Sequence, residues 1–232
     1  MTKHLKPIDP HNITDFHRDS NNKELFLIFA IAVAGKSSDV TARKINRMFN
    51  VDKDCMPAEL PELVTETMRW SATLVRTYLI DGVSPFGVLK GLVDNKILGS
   101  FLELHSIGQY HRIGKAYDQI SRTRGGIHVI NQVTVDDLVK YDGIGPKTAR
   151  FFMLHSFPNC NYAVLDTHIL RHIAEYVELS LGLIKKFQVP RATPQIESEY
   201  KFWETFFLGM CNQAGKSTAE YDLETWKKGQ AA

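Results

Sequence analysis

The sequence predicts an all-helical protein, and two observations carry that prediction. Apolar residues recur every three to four positions through several long segments, which is the period of a helix. No run alternates apolar and polar residues for long, and Asp142-Gly143, a dipeptide typical of hairpins, lies between helical patterns. A chain of 232 residues with 44% hydrophobic and 23% charged residues can form one sizeable core or two small lobes.

The first helices follow from apolar runs and capping residues. Leu25–Ala34 is apolar on every side, which predicts a buried central helix. Ser37 and Ser38 are good N-caps for a helix through Met48. Apolar residues at helical spacing predict another helix from about Ala58 to Ile80.

Later helices are marked in the same way. Ser84 followed by Pro85 predicts a capped helix through Val93, because proline fits the first helical position. Thr134 and Asp137 form a capping-box pattern. Further helices are predicted over 96–105, 110–122, 134–140, 146–156, 167–178, 194–213 and 217–228.

Charge and cysteine content restrict the function only weakly. The net charge of +2 does not itself indicate nucleic acid, although basic residues are in excess between 105 and 150, as on a phosphate-binding face or on a solvated helix. Three cysteines, Cys55, Cys160 and Cys211, favour a reducing compartment and exclude a four-cysteine iron–sulfur cluster built from this chain alone. The longest apolar run is too short to span a bilayer, so we expect a cytoplasmic protein without a membrane partner.

The most informative segment runs from Leu138 to Arg150. A short helix ends at Tyr141, two glycines flank Ile144, and Pro146 begins the next helix. The free N–H groups of that second helix can bind a phosphate without contacting a base. A simple turn between packed helices would explain the glycines equally well.

The full motif resembles a known family. Gly-Ile-Gly-Pro-Lys-Thr-Ala-Arg at 143–150 is followed by Tyr-Ala-Val-Leu-Asp-Thr-His-Ile-Leu-Arg at 162–171. The pair is similar to the helix–hairpin–helix (HhH-GPD) DNA glycosylase superfamily, in its endonuclease III and 8-oxoguanine glycosylase branches. The similarity is clear from about 84 to 172 and fainter elsewhere.

The resemblance implies a bifunctional DNA glycosylase and AP lyase of base excision repair. Its substrate would be duplex DNA with an oxidised base, with 8-oxoguanine slightly preferred over an oxidised pyrimidine. Lys147 occupies the position of the family's nucleophile and Asp166 that of its carboxylate. No cofactor is required, and the cysteine count places the chain with relatives that lack an iron–sulfur cluster. The resemblance also implies a structural Na⁺ or K⁺ on the carbonyls of Val139, Tyr141 and Ile144.

These residue types suit the chemistry. A neutral lysine amine can attack C1′ of the sugar and form a Schiff base, and a carboxylate can stabilise the positive charge that develops on the sugar. Burial or nearby cations must then favour the neutral amine, and Arg150 and Arg171 are candidate neighbours. The alternatives are that Lys147 is a phosphate clamp or a solvated side chain and that Asp166 only caps the next helix.

Other residues are assigned to DNA by their position. In the hairpin these are Gly143, Ile144, Gly145, Thr148 and Arg150. Gln109 or Tyr110 would fill the space of the vacated base, or Tyr110 simply packs at a helix start. Lys36 contacts a phosphate or the opposite base, or is an exposed loop lysine. Phe151, one turn after Lys147, stacks on the flipped base or packs in the core.

The resemblance also predicts the domain arrangement. Residues 24–160 would form a central helical lobe with the helix–hairpin–helix at about 134–156. Residues 1–23 and 161–232 would form a second lobe, with an active-site cleft between them. A monomer in the cytoplasm, or in the nucleus of a eukaryote, is expected. The alternative function is a non-catalytic helix–hairpin–helix module that only binds DNA, for which neither Lys147 nor Asp166 is needed.

Overall fold

The structure is a computed structural model that describes residues 5–49, 65–123, 130–181 and 188–231. No strand occurs in these ranges, which confirms the all-helical prediction. The helices are α1 Ser20–Val33, α2 Ser38–Met48, α3 Glu66–Ile80, α4 Pro85–Asp94, α5 Leu98–Leu104, α6 Tyr110–Arg122, α7 Val135–Leu138, α8 Pro146–Ser156, α9 Thr167–Leu181, α10 Glu197–Gln213 and α11 Thr218–Ala231. Within the same ranges, no helix combines the length and apolar character that a membrane span requires.

The predicted caps determine where several helices begin. The Ser37 hydroxyl accepts from Val40 N in α2, and the Ser84 hydroxyl accepts from Gly87 N in α4. The capping box is also present, since the Thr134 and Asp137 side chains each accept from the other's main-chain N–H. Helix α1 begins at Ser20 rather than at Leu25, because the Asp19 side chain caps it. The first part of the helix predicted from Ala58 lies outside the described residues, and α3 begins at Glu66.

The chain divides into two compact units. Unit 1 comprises residues 1–13 and 17–144, and unit 2 comprises residues 14–16 and 145–232. The boundary therefore lies between Ile144 and Gly145, whereas the sequence analysis placed it near 160. The difference arises because α8 packs against α11 and belongs with the C-terminal helices.

Unit 1 is built around α1. Every residue from Leu25 to Ala32 is buried, as the apolar run predicts, and α1 packs against α2, α4 and α6. Helix α3 packs on α4 and α5. The buried Glu24 carboxylate accepts from Phe86 N at 2.8 Å, so a charged residue of the central helix also supports the first turn of α4.

Unit 2 has its own core. Apolar side chains of α9 and α10 pack together, among them Ile169, Ile173, Phe207 and Met210. Helix α8 joins this unit through a smaller apolar cluster that contains Leu154. Both Lys147 and Asp166 belong to unit 2, so their surroundings can be described within one compact body.

Candidate active site and nucleic-acid interface

The turn that ends unit 1 has the conformation that its glycine predicts. Ile144 N donates to Tyr141 O at 3.1 Å and closes the turn. Gly143 has φ +81°, and a Cβ at this position would lie 3.0 Å from Arg112 Cγ and 3.1 Å from Arg112 O. Ile144 is buried and anchors the turn, so only its main chain is available for a phosphate.

Arg112 supports this turn, although the sequence analysis singled it out only as one basic residue among several. Its guanidinium donates to Gly143 O at 2.8 Å, to Ile31 O at 2.9 Å and to Gln109 Oε1 at 2.8 Å. A single side chain thus joins the turn to the end of α1 and to the start of α6. Nothing in the sequence distinguishes it from neighbouring arginines, because its acceptors are mostly distant carbonyl groups.

The N-terminus of α8 has no side-chain cap. Gly145 is the N-cap residue and Pro146 the first helical residue, and Ala149 N donates to Gly145 O at 3.1 Å. In the described part of the chain, the N–H groups of Lys147 and Thr148 have no acceptor. Such a terminus carries partial positive charge and can bind a phosphate. Thr148 is only 5% exposed, so any contact that it makes with DNA involves its main-chain N–H.

Lys147 is half-buried in the first turn of α8. Among the described residues its ammonium has neither a hydrogen-bond acceptor nor a carboxylate partner. By contrast, Lys140 lies 2.9 Å from Asp137 and Lys115 lies 2.7 Å from Asp142. Lys147 therefore differs from these surface pairs in having no counter-ion within the described residues.

Asp166 caps α9, as the alternative interpretation of this residue predicts. Its Oδ1 accepts from His168 N and from Ile169 N, both at 2.9 Å. Its main-chain carbonyl accepts from Leu170 N at 2.9 Å. Both capping bonds use the same carboxylate oxygen, and within the described residues Oδ2 accepts no hydrogen bond. The side chain is half-buried, so Oδ2 is available for a second role.

The chain that leads to Asp166 is held by buried side chains of α10. The Tyr200 hydroxyl donates to Ala163 O at 2.8 Å and accepts from Leu165 N at 3.1 Å. The Glu204 carboxylate accepts from Ala163 N at 3.0 Å. These bonds fix the main chain immediately before Asp166, and they fix the carboxylate with it.

One side of α8 carries Lys147 in its first turn and His155 near its end. Lys147, Phe151 and His155 are four residues apart and lie on one side of the helix. The rings of Phe151 and His155 are 5.2 Å apart in an edge contact. His155 Nε2 lies 3.5 Å from Asp222 Oδ2, and Asp222 interacts electrostatically with Asp166.

Asp222 and His155 form a buried pair that the sequence analysis did not identify. His155 is completely buried, and its Nδ1 is 2.8 Å from Thr14 Oγ1. Burial raises the pKa of Asp222, His155 opposes that rise, and the charge of Asp166 adds to it. The partners lie far apart in the sequence, so no spacing rule could have found them.

Phe151 is partly buried and packs against the apolar cluster of Leu154, Val164 and Ala219. Together with its edge contact on His155, this position fits the core-packing alternative. No observation tests the alternative, stacking of Phe151 on an extruded base, which stays a prediction.

The prediction that Arg150 contacts DNA is wrong. Arg150 is 2% exposed, with its Nε 2.9 Å from Glu204 Oε1 and its Nη2 2.7 Å from Glu197 Oε1. Its guanidinium also lies 4.2 Å from the centre of the Tyr200 ring. Burial alone would lower the pKa of Arg150, but Glu197 and Glu204 outweigh it and raise the pKa. Arg150 is thus a structural cation that joins α8 to α10.

Glu204→Gln is expected to lower the free energy of unfolding by about 3 kcal/mol, because it removes the buried countercharge of Arg150 while keeping the side chain's shape. Urea denaturation measures the change. Glu197→Gln is the matched control: that side chain is 47% exposed, so its loss is expected to cost less than about 1 kcal/mol. Equal losses in the two variants would show that the burial of Glu204 does not make its charge more important for stability than that of the exposed Glu197.

The other predicted DNA residues lie in unit 1. Gln109 has a left-handed backbone conformation with φ 49° and accepts from Arg112 Nε through its side chain. Tyr110 is 39% exposed at the start of α6. The interpretation of Lys36 as an exposed loop lysine is wrong, because Lys36 is half-buried and its Nζ donates to Ile107 O at 2.6 Å and to Gly108 O at 3.3 Å.

The predicted cation site consists of main-chain carbonyls. The Tyr141 carbonyl already accepts one hydrogen bond from Ile144 N, whereas in the described chain the carbonyls of Val139 and Ile144 accept none. All three could therefore contribute an oxygen to a monovalent cation. The described residues contain no cluster of three His, Cys, Asp or Glu side chains that could hold a metal. Cys160 and Cys211 are free thiols, and Cys55 lies outside the described residues.

Unit 2 thus contains Lys147 and Asp166, and unit 1 contains the glycine turn, Lys36, Gln109 and Tyr110. In comparisons with known proteins, no family model, no curated protein and no solved structure matches the chain.

Proposed function

We propose that the protein is a DNA glycosylase with AP lyase activity that removes an oxidised base from duplex DNA. The observation that carries this proposal is the half-buried Lys147, which has no counter-ion in the described residues and follows the uncapped start of α8. A phosphate bound at that helix start would bring a sugar close to the lysine. The proposal includes a helix–hairpin–helix motif and a cleft for the extruded base, with 8-oxoguanine slightly preferred over an oxidised pyrimidine.

In this mechanism the neutral Lys147 amine attacks C1′ of the damaged nucleotide. The bond from C1′ to the base nitrogen breaks, and the base leaves with the electron pair and takes up a proton. The Asp166 carboxylate stabilises the positive charge on the sugar. The nitrogen then loses one proton, the C1′–O4′ bond breaks, and O4′ takes up a proton, which gives a protonated Schiff base between Lys147 and C1′. Loss of a proton from C2′ forms a C2′–C3′ double bond as the 3′ phosphate leaves with the electron pair of the C3′–O bond, and water finally hydrolyses the Schiff base and releases the lysine.

Borohydride trapping tests the proposal directly. Borohydride reduces a Schiff base to a stable amine, so an enzyme that uses Lys147 becomes covalently linked to its substrate. We expect a linked product on a denaturing gel with 8-oxoguanine duplex, less with an oxidised pyrimidine, and none with undamaged duplex. If the protein binds every duplex but forms no covalent adduct with any lesion, the proposal is refuted.

A second candidate function is a non-catalytic DNA-binding module. It is favoured by the same uncapped start of α8 and by the fact that Asp166 already serves as a helix cap. In that case Lys147 is only a phosphate clamp. Binding without trapping is the outcome that this second function predicts, so the same gel separates the two.

A further inference from the structure

The outer face of α2 in unit 1 concentrates positive charge. Arg43 and Arg47 are exposed and one helical turn apart, and Lys44 lies beside them. At spacings of three and four residues, side chains project from one side of a helix. The carboxylate in the first turn of this helix, Asp39, lies 3.0 Å from His11 and so already has a partner.

Two lysines extend this charged face onto the loop before α6. Lys44 Nζ donates to Ser106 O at 2.6 Å, and Lys36 Nζ donates to the next two carbonyls, those of Ile107 and Gly108. An ammonium has three donors, so each lysine keeps at least one for another acceptor. Three consecutive carbonyls are therefore held by ammonium groups that can still bind an anion.

Within the described residues, none of Lys36, Arg43, Lys44 and Arg47 forms an ion pair, whereas Lys90 of the same unit is paired with Asp94. The surroundings reflect the excess charge. Burial, then Arg112 and Lys44, lower the pKa of Lys36 to about 8, and burial, then Arg47, lower the pKa of His105 to about 4. Arg112 and Lys44 thus repel the Lys36 ammonium, and a bound polyanion would relieve that repulsion.

We propose that this basic face, formed by Lys36, Arg43, Lys44 and Arg47, binds the phosphates of a DNA strand, in addition to any phosphate at the start of α8. A membrane surface is disfavoured, because the exposed side of α2 offers only Val40 as a large apolar residue for insertion. The proposal rests on the proposed function only in taking DNA as the anion. It requires no chemistry at Lys147.

The test is the salt dependence of binding to undamaged duplex DNA between about 50 and 200 mM salt, the range over which phosphate contacts dominate affinity. Each lost phosphate contact is expected to reduce the slope of log affinity against log salt by about 0.9. Arg43→Gln and Arg47→Gln should each show that loss, and the double variant should show about twice the loss. Their melting temperatures should stay close to that of the original protein, because neither arginine side chain forms a hydrogen bond or an ion pair within the described residues. Arg76→Gln is the matched control, an exposed arginine of α3 in the same unit.

A slope in the double variant equal to that of Arg76→Gln would overturn the proposal. The proposal would also be overturned if binding to anionic phospholipid vesicles depended on Arg43 and Arg47 while the salt dependence of DNA binding did not change in the variants. The outcome is independent of the proposed function, because trapping tests Lys147 on lesion DNA whereas the slope is measured without any lesion. If the protein is never trapped on lesion DNA but the salt-dependence slope falls in these variants, the proposed basic face is supported and the proposed enzyme activity is refuted.

Discussion

Lys147→Gln is expected to abolish the borohydride adduct and to lower strand cleavage at a lesion by about 10³-fold or more, because Lys147 is the nucleophile of the proposed mechanism. Glutamine keeps a polar end and most of the length of the side chain, but it has no nucleophilic amine. Because Lys147 forms no ion pair within the described residues, the variant should fold as well as the original chain. Single-turnover cleavage of lesion duplex measures the loss, and thermal unfolding checks the fold.

Lys140→Gln is the matched control for this prediction. It removes the same charge seven residues upstream, from a side chain that is largely exposed and paired with Asp137 at 2.9 Å. It should trap and cleave like the original protein, with at most a small change in DNA affinity. Continued trapping by Lys147→Gln would show that another amine is the nucleophile. Equal losses in both variants would show that only positive charge near the hairpin matters.

The sequence predicted those parts of the fold that depend on local interactions. A cap contacts an N–H two or three residues away, so Ser84 and the Thr134–Asp137 pair could be recognised from the chain alone. The glycine turn is equally local, because its conformation depends on the backbone freedom of Gly143. The start of α1 was missed because apolar periodicity does not detect a polar first turn, which here contains Asn22 and follows Asp19.

The surroundings of the candidate site could not be predicted, because they depend on distant contacts. Arg150 follows Lys147 by three residues and looks like a second phosphate ligand in the sequence. Its burial is decided by Glu197 and Glu204, which are 47 and 54 residues away. His155 likewise bonds to a threonine 141 residues away. Spacing rules describe one face of one helix, and they do not show which helix covers that face.

Asp166→Asn is expected to slow base removal by about 10²- to 10³-fold while leaving stability and DNA affinity nearly unchanged. Asparagine is as good an N-cap as aspartate, and its amide oxygen can accept the same two bonds from His168 N and Ile169 N. What the variant loses is the negative charge that, in the proposed mechanism, stabilises the positive charge on the sugar. Single-turnover excision of the damaged base gives the rate, and the melting temperature shows whether the helix cap is intact.

Asp19→Asn provides the matched control, because it makes the same replacement at the cap of α1, far along the chain from Lys147. It should excise the base at the original rate. If Asp166→Asn also excised at that rate, Asp166 would be a helix cap and nothing more. The structure permits both roles at once because the cap uses only Oδ1 of Asp166. Oδ2, which no described group binds, remains for the sugar, so one carboxylate can hold a helix end and stabilise a cation.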